Sequence, residues 1–277
     1  MKNLVYQVNI IQNEDTYADC IKSVADYCQK YQIEHRIQTE PILKIKPKTD
    51  HRNRKFFETG DSSFRFHTLK TEHLLIYEKE NAFDLLDQYD NICILDRDVL
   101  IRDFAPNIFD EIEDYEFAGV IETQIPLGSN EMQNQKISSS SFNRARKKLS
   151  ISQYYPLREE ADFKWTKNGA SYYNCGVMLL SSSIKKYLNA ESAREFLLRP
   201  EFERFIEGEN EWYMQVEQTL INYWLKKQKV KTKDLSWKWN ALYGLMSEED
   251  INNSYFVHFF MDMFNLPTKN IRDAHLK

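Results

Sequence analysis

Residues 4–11 form an apolar run broken only by Gln7 and Asn9, and their β-branched content suits a strand buried early in a sheet. Asp15 and Thr16 can then cap a helix. In it Tyr17, Ile21, Val24, Cys28 and Tyr31 recur at helical spacings and make one apolar stripe. A short strand over residues 35–39 is expected next. Helical spacing returns in residues 81–89 through Ala82, Leu85, Leu86 and Tyr89, and runs into the apolar strand 92–95. Residues 117–121 and 175–180 read as further core strands, and residues 209–229 as a long helix. Strand, helix, strand is the order of an α/β chain. One mixed, mainly parallel sheet flanked by helices accommodates every segment.

Between two of these strands the pattern stops. Residues 123–171 are polar, contain four serines in a row at 138–141, and carry the basic run Arg144, Arg146, Lys147 and Lys148. Structureless insertions of this length inside a domain are usually functional loops. We read the segment as a lid or acceptor loop within a single domain spanning residues 1–277, not as a linker between two domains. There is no internal repeat.

Composition narrows the class. With 42% hydrophobic and 29% charged residues, and only 7 Gly and 7 Pro among 277, the chain is expected to fold into a globular core. A net charge of -5 gives no broad attraction for nucleic acid or an acidic membrane, and the basic run lacks interleaved aromatics, so a solvated or acceptor-facing loop is the better reading of it. The opening MKNLVYQVNI enters an apolar strand without a leader-like segment, and no stretch approaches the ~18 apolar residues of a membrane span. A cytoplasmic location is expected. Cys20, Cys28, Cys93 and Cys175 form no C-x-x-C pair and sit inside apolar segments, which fits buried thiols better than disulfides or a zinc site.

The sharpest chemical feature is NICILDRDVLIRDF. Four mostly apolar residues deliver Asp96 and Asp98 to the C-terminal edge of a sheet, where open α/β sheets place ligands. Alternate residues of an extended chain point the same way, so two carboxylates can meet one hard cation. Such a cation neutralises a diphosphate and makes it a better leaving group. The plain alternative is a pair of solvated turn aspartates. His258 follows Tyr255, Phe256 and Val257, where a lone histidine is often a core residue. Glu217 falls on the apolar side of its helix and needs a partner there, unless it snorkels or caps. Lys79 reads equally as a surface lysine paired with Glu78 or Glu80.

In order along the chain, EKENAFDLLDQYDNICILDRDVLI, YYNCGVMLL, EQTLIN, LSWKWNALYG and YFVHFF resemble motifs of the GT-A glycosyltransferases, a Rossmann-like fold. The likeness is to the retaining branch that includes glycogenin and bacterial galactosyl- and glucosyltransferases. The resemblance implies a metal-dependent hexosyltransferase that uses a UDP-sugar donor and a sugar or other hydroxyl acceptor. Asp96, Asp98 and His258 would bind Mn2+ or Mg2+, completed by two diphosphate oxygens and a water. It places Glu217 and Gln218 beside the donor sugar, as the catalytic pair. Gln218 would stabilise positive charge at the anomeric carbon through its carbonyl dipole. Val8 and Asn9 would meet the nucleotide base, Lys79 would reach toward the donor, and Asn174 and Gly176 would line the sugar, with Gly176 allowing close backbone approach.

Two departures stand out. Where the family often carries H-x-x-G-x-x-K, the glycine and lysine positions here are Met261 and Phe264, so Lys269 or Arg272 would have to supply the diphosphate's positive partner. Arg97, between the two aspartates, replaces a commonly small residue. Two other functions compete with transfer. One is a nucleotide-sugar-binding protein of the same fold without turnover. The other is a haloacid-dehalogenase-like phosphatase, against which Leu100 and the position of the motif along the chain argue.

Overall fold

The computed structural model describes residues 1–10, 17–48, 73–126, 172–208, 217–243 and 246–259. Among them lie nine strands: β1 Asn3–Val8, β2 Glu34–Gln38, β3 Asn91–Leu95, β4 Val99–Ile101, β5 Phe117–Ile121, β6 Tyr173–Ser181, β7 Thr232–Asp234, β8 Ala241–Leu242 and β9 Phe256–His258. The α-helices are α1 Ala18–Tyr31, α2 Ala193–Leu197, α3 Glu203–Glu207, α4 Glu217–Lys227 and α5 Glu248–Asn252.

Six strands form the central sheet in the order β2-β1-β3-β6-β5-β7. The pairs β1·β2, β1·β3 and β5·β7 are parallel, whereas β6 runs antiparallel to both its neighbours. The sheet is therefore mixed and mainly parallel. Its two faces follow from strand alternation. Leu4, Tyr6, Ile92, Ile94, Met178 and Leu180 point into one core with Tyr77, Phe83, Phe196, Leu220 and Trp224. Val5, Cys93, Leu95, Val177 and Leu179 point into the other, against Val24, Tyr27, Trp239 and Phe256. Both faces are covered, which is why β3 and β5 read as unbroken apolar runs.

The first helix is α1, whose buried residues Cys20, Val24, Tyr27 and Cys28 share Val24 and Cys28 with the expected stripe, while Ile21 and Tyr31 are only half-buried; its C-cap, Gln32, takes the left-handed conformation at φ 54°. All four cysteines are buried free thiols. The segment before β3 differs from expectation. It is a 3-10 helix over Leu75–Leu85, not an α-helix over 81–89. Four consecutive residues, Tyr77 to Glu80, are buried, a run that the single apolar stripe of an amphipathic α-helix does not produce. Glu78 pins the segment by accepting the backbone N–H groups of Ile42, Leu43 and Lys44 and the Gln38 amide. Of the long helix expected over 209–229, Glu217–Lys227 is α4, and residues 209–216 lie outside the described residues.

A second sheet, β4-β9-β8, packs on the same face as α1. Its strands have two or three residues each, too few for a period-2 signal. It carries His258 to the edge where β3 ends: Val99 pairs with His258, and the Phe259 N–H donates to the Asp98 carbonyl at 2.9 Å. Among the described residues no helix is long and apolar enough to cross a membrane.

Candidate active site

The site begins with an irregularity. Between β5 and β6 the register jumps from Gly119↔Met178 to Val120↔Asn174, which leaves Cys175, Gly176 and Val177 without partners on β5. Side-chain amides take up two of the released N–H groups. Gln218 Oε1 accepts from Cys175 at 3.0 Å, and Asn174 Oδ1 accepts from Gly176 at 2.9 Å. The Gly176 carbonyl accepts from the Asp96 N–H at 2.9 Å, tying the bulge to the first residue after β3.

Asp96, Asp98 and His258 converge at that edge, with one ligand atom from each lying within 4.8 Å of the others. His258 Nε2 stands 3.3 Å from Asp98 Oδ1 and 3.8 Å from Asp96 Oδ2. Burial pulls the imidazolium pKa down, but the two carboxylates outweigh it and hold the pKa above the ordinary value. Two carboxylates and one imidazole nitrogen suit a divalent cation of the manganese or magnesium kind, and the cluster of negative charge gives it reason to bind. Gly176 makes the space. A Cβ there would lie 2.5 Å from His258 Nδ1 and closer still to Cε1. The missing side chain thus faces the histidine, whereas close approach of a donor had been expected.

Behind the cluster, Lys79 is buried and reaches inward instead of pairing at the surface. Its Nζ lies 2.8 Å from Asp96 Oδ1, 2.8 Å from Glu217 Oε1 and 3.0 Å from the Cys175 carbonyl. Although burial favours the neutral amine, Asp96 and Glu217 raise its pKa well above the ordinary lysine value, so it stays charged. Glu217 is thereby the partnered carboxylate that its helical position required. Burial, opposed by Lys79, raises its pKa. Its other oxygen, and both oxygens of the fully buried Glu80, have no hydrogen-bond partner among the described residues. Burial first, and then the charge of Glu217, push the Glu80 pKa well above the usual carboxylate range.

Gln218 is held at both ends: its Nε2 donates 2.9 Å to Glu122 Oε1 while its Oε1 takes the Cys175 N–H. Glu122 also accepts from Asn174 Nδ2 at 3.2 Å. Glu122, not among the residues expected from sequence, follows the apolar strand β5 just as Asp96 follows β3. Val8 ends β1, and Asn9 continues the pairing by donating its N–H to the Gln38 carbonyl at 2.8 Å. Next to them the Gln7 side chain is buried, hydrogen-bonds His35 and donates to the Asp96 carbonyl at 3.3 Å. Arg97 turns to the side, with its guanidinium 4.5 Å from the centre of the Tyr17 ring. Lys269, Arg272 and residues 127–171 of the expected lid lie outside the described residues.

Known proteins resemble the chain in sequence pattern and in fold. Residues 5–263 match the family described as glycosyl transferase family 8. No curated protein matches the chain. Among solved structures, the apo bifunctional glycosyltransferase WbbM aligns with 94% of this chain and 46% of its own, at 12% identity and a TM-score of 0.50. A glycosyltransferase involved in glycosylating the major capsid of PBCV-1 aligns with 100% of this chain and 98% of its own, at 11% identity and a TM-score of 0.49. The galactosyltransferase LgtC, with donor and acceptor sugar analogues, aligns with 94% of this chain and 87% of its own, at 14% identity and a TM-score of 0.46. At such identities the likeness concerns the fold, which is GT-A. With the family match extending over most of its length, the chain belongs to glycosyl transferase family 8 and is a glycosyltransferase.

Proposed function

We propose that this glycosyltransferase moves a hexosyl group from a UDP-sugar to a hydroxyl of a sugar or other acceptor, with retention of configuration and with Mn2+ or Mg2+ held by Asp96, Asp98 and His258. The observation that carries the reading is the convergence of those three side chains, within 4.8 Å, at the C-terminal edge of β3. When bound there, a divalent cation would neutralise the diphosphate and ease its departure.

The chain's own residues supply the rest. Lys79 occupies Asp96 Oδ1 and leaves Oδ2 on the side of His258, so it orients the carboxylate and offsets part of its charge. Val8 and Asn9, at the end of β1, take the nucleotide base, and Lys269 meets the diphosphate. Asn174 and Gly176 shape the wall between cation and sugar. Gln218, fixed by Glu122 and Cys175, presents a neutral carboxamide whose carbonyl stabilises positive charge at the anomeric carbon. Glu217 acts beside it through Lys79. As the bond from the anomeric carbon to the diphosphate oxygen breaks, the acceptor oxygen bonds to that carbon on the same face. The acceptor's proton passes to the departing diphosphate. The whole of residues 1–277 serves as one domain in this reading, with the 123–171 loop toward the acceptor.

The test is a screen of nucleotide sugars and hydroxyl acceptors for sustained nucleotide release, with Mn2+ and with chelator. Metal-dependent release of UDP, and a product whose anomeric configuration by NMR equals the donor's, are expected. Tight UDP binding with no turnover on any donor would leave a binding protein. Release of another nucleotide would overturn the donor assignment.

A further inference from the structure

The orientation of the His258 ring follows from a backbone N–H two elements away. Gly176 N–H can only donate, so the Asn174 atom 2.9 Å from it is the carbonyl oxygen, Oδ1. The Asn240 atom that meets that oxygen at 2.8 Å must then be its NH2. Its own oxygen therefore faces His258 Nδ1, at 3.0 Å, and requires a proton on that nitrogen. Asn240 is wholly buried, and Asn174 and His258 nearly so, which leaves no solvent to reverse the sequence of donors. With Nδ1 committed to Asn240, Nε2 is the nitrogen that faces Asp96 and Asp98, and the one that can give its lone pair to a cation held between them.

We propose that Asn240 is a positioning residue for the cation site, holding His258 in the tautomer that presents Nε2 to the metal. It also joins the cation site to the sugar side. From Asn240 the chain of side-chain bonds runs through Asn174 to Glu122 and so to Gln218, the residue set against the anomeric carbon. A shift of the metal ligand is thus transmitted to the carboxamide that serves transfer. This inference rests on the metal site of the proposed function and adds the residue that orients it. The signal in sequence was only the W-N pair at Trp239 and Asn240, which carried no role by itself.

The experiment is titration of wild type, Asn240→Leu and Asn240→Asp with Mn2+ alone, followed by calorimetry. Outer-shell partners of metal ligands typically control affinity by about 10–100-fold. Asn240→Leu, similar in size but without an acceptor, is expected to lose affinity by about that factor. Asn240→Asp, which keeps an oxygen for the Nδ1 proton, is expected to retain most of it. Equal affinity in wild type and Asn240→Leu would overturn the positioning role while leaving the metal site standing. No Mn2+ binding by wild type would overturn the site and this inference with it. Should Asn240→Leu fail to fold, NMR of wild type labelled with 15N-histidine in the presence of Mg2+ and UDP decides the point. A ring protonated at Nδ1 is expected for His258, and one protonated at Nε2 would refute the assignment.

Discussion

Replacing Gly176 with alanine tests the packing that holds the cation site together. The new Cβ would lie 2.5 Å from His258 Nδ1, nearer still to Cε1, and 3.0 Å from Asn174 Oδ1. Ordinary contacts fall at about 3.5–4.0 Å, so the imidazole must retreat by roughly 1 Å. Metal sites tolerate deviations of only about 0.2 Å in ligand distance. The retreat also breaks the 3.0 Å bond to Asn240. We expect Mn2+·UDP affinity to fall by at least about 10–100-fold, or roughly 1.4–2.8 kcal/mol. Overpacking should lower stability by about 1–3 kcal/mol. Calorimetry and urea denaturation read the two effects. Because the two shortest contacts are both with one ring, Gly176→Ala in a His258→Ala background should cost less stability than it does alone. Wild-type affinity in Gly176→Ala, or an equal stability loss in both backgrounds, would refute the reasoning.

Other expectations follow from the charges behind the site. Lys79→Met removes the cation shared by Asp96 and Glu217 and should destabilise the fold by about 3–5 kcal/mol, as loss of one partner of a buried pair does; an unchanged urea midpoint would contradict the pairing. Glu80 has a raised pKa in the folded state, so the fold binds more protons than the unfolded chain, and its stability falls as pH rises above the ordinary carboxylate value. Glu80→Gln should therefore match wild type near about pH 4 and exceed it near about pH 8, and a pH-independent difference would show that Glu80 does not titrate this way. Gln218→Ala should lower kcat and kcat/KM together and leave UDP affinity nearly intact. Weakening of UDP binding by about 10-fold or more, with near-normal kcat, would move Gln218 into the nucleotide pocket.

How much of this was legible in the sequence depended on local signal. Asp96 and Asp98 could be found because β3 is a fully buried strand that ends in sudden charge. The inner strands β1, β3, β5 and β6 were legible for the same reason, since both faces of the sheet are covered there and these strands are mostly apolar, whereas the edge strand β7, Thr232–Asp234, is polar and gave no signal. The small sheet was not, because strands of two and three residues show no period. The 3-10 geometry of Leu75–Leu85 goes with the contacts of Glu78 and the burial of Tyr77 to Glu80 in succession, both tertiary effects. Glu217 gave a sign of needing a partner, as a carboxylate on an apolar face, whereas Lys79, set between Glu78 and Glu80, read equally as a surface lysine. Only the fold shows that they need each other. Gly176 was singled out for close approach beside the donor sugar; in the structure its missing Cβ makes room for His258.

The Asp96, Asp98 and His258 cluster is proposed to bind a nucleotide diphosphate through a divalent cation. Calorimetric titration of the protein with UDP, first with Mn2+ and then with excess chelator, tests it most directly. Binding in Mn2+ that falls by at least about 10-fold, or 1.4 kcal/mol, on chelation is the result expected. Equal UDP affinity in the two conditions would contradict it and remove the metal from the site.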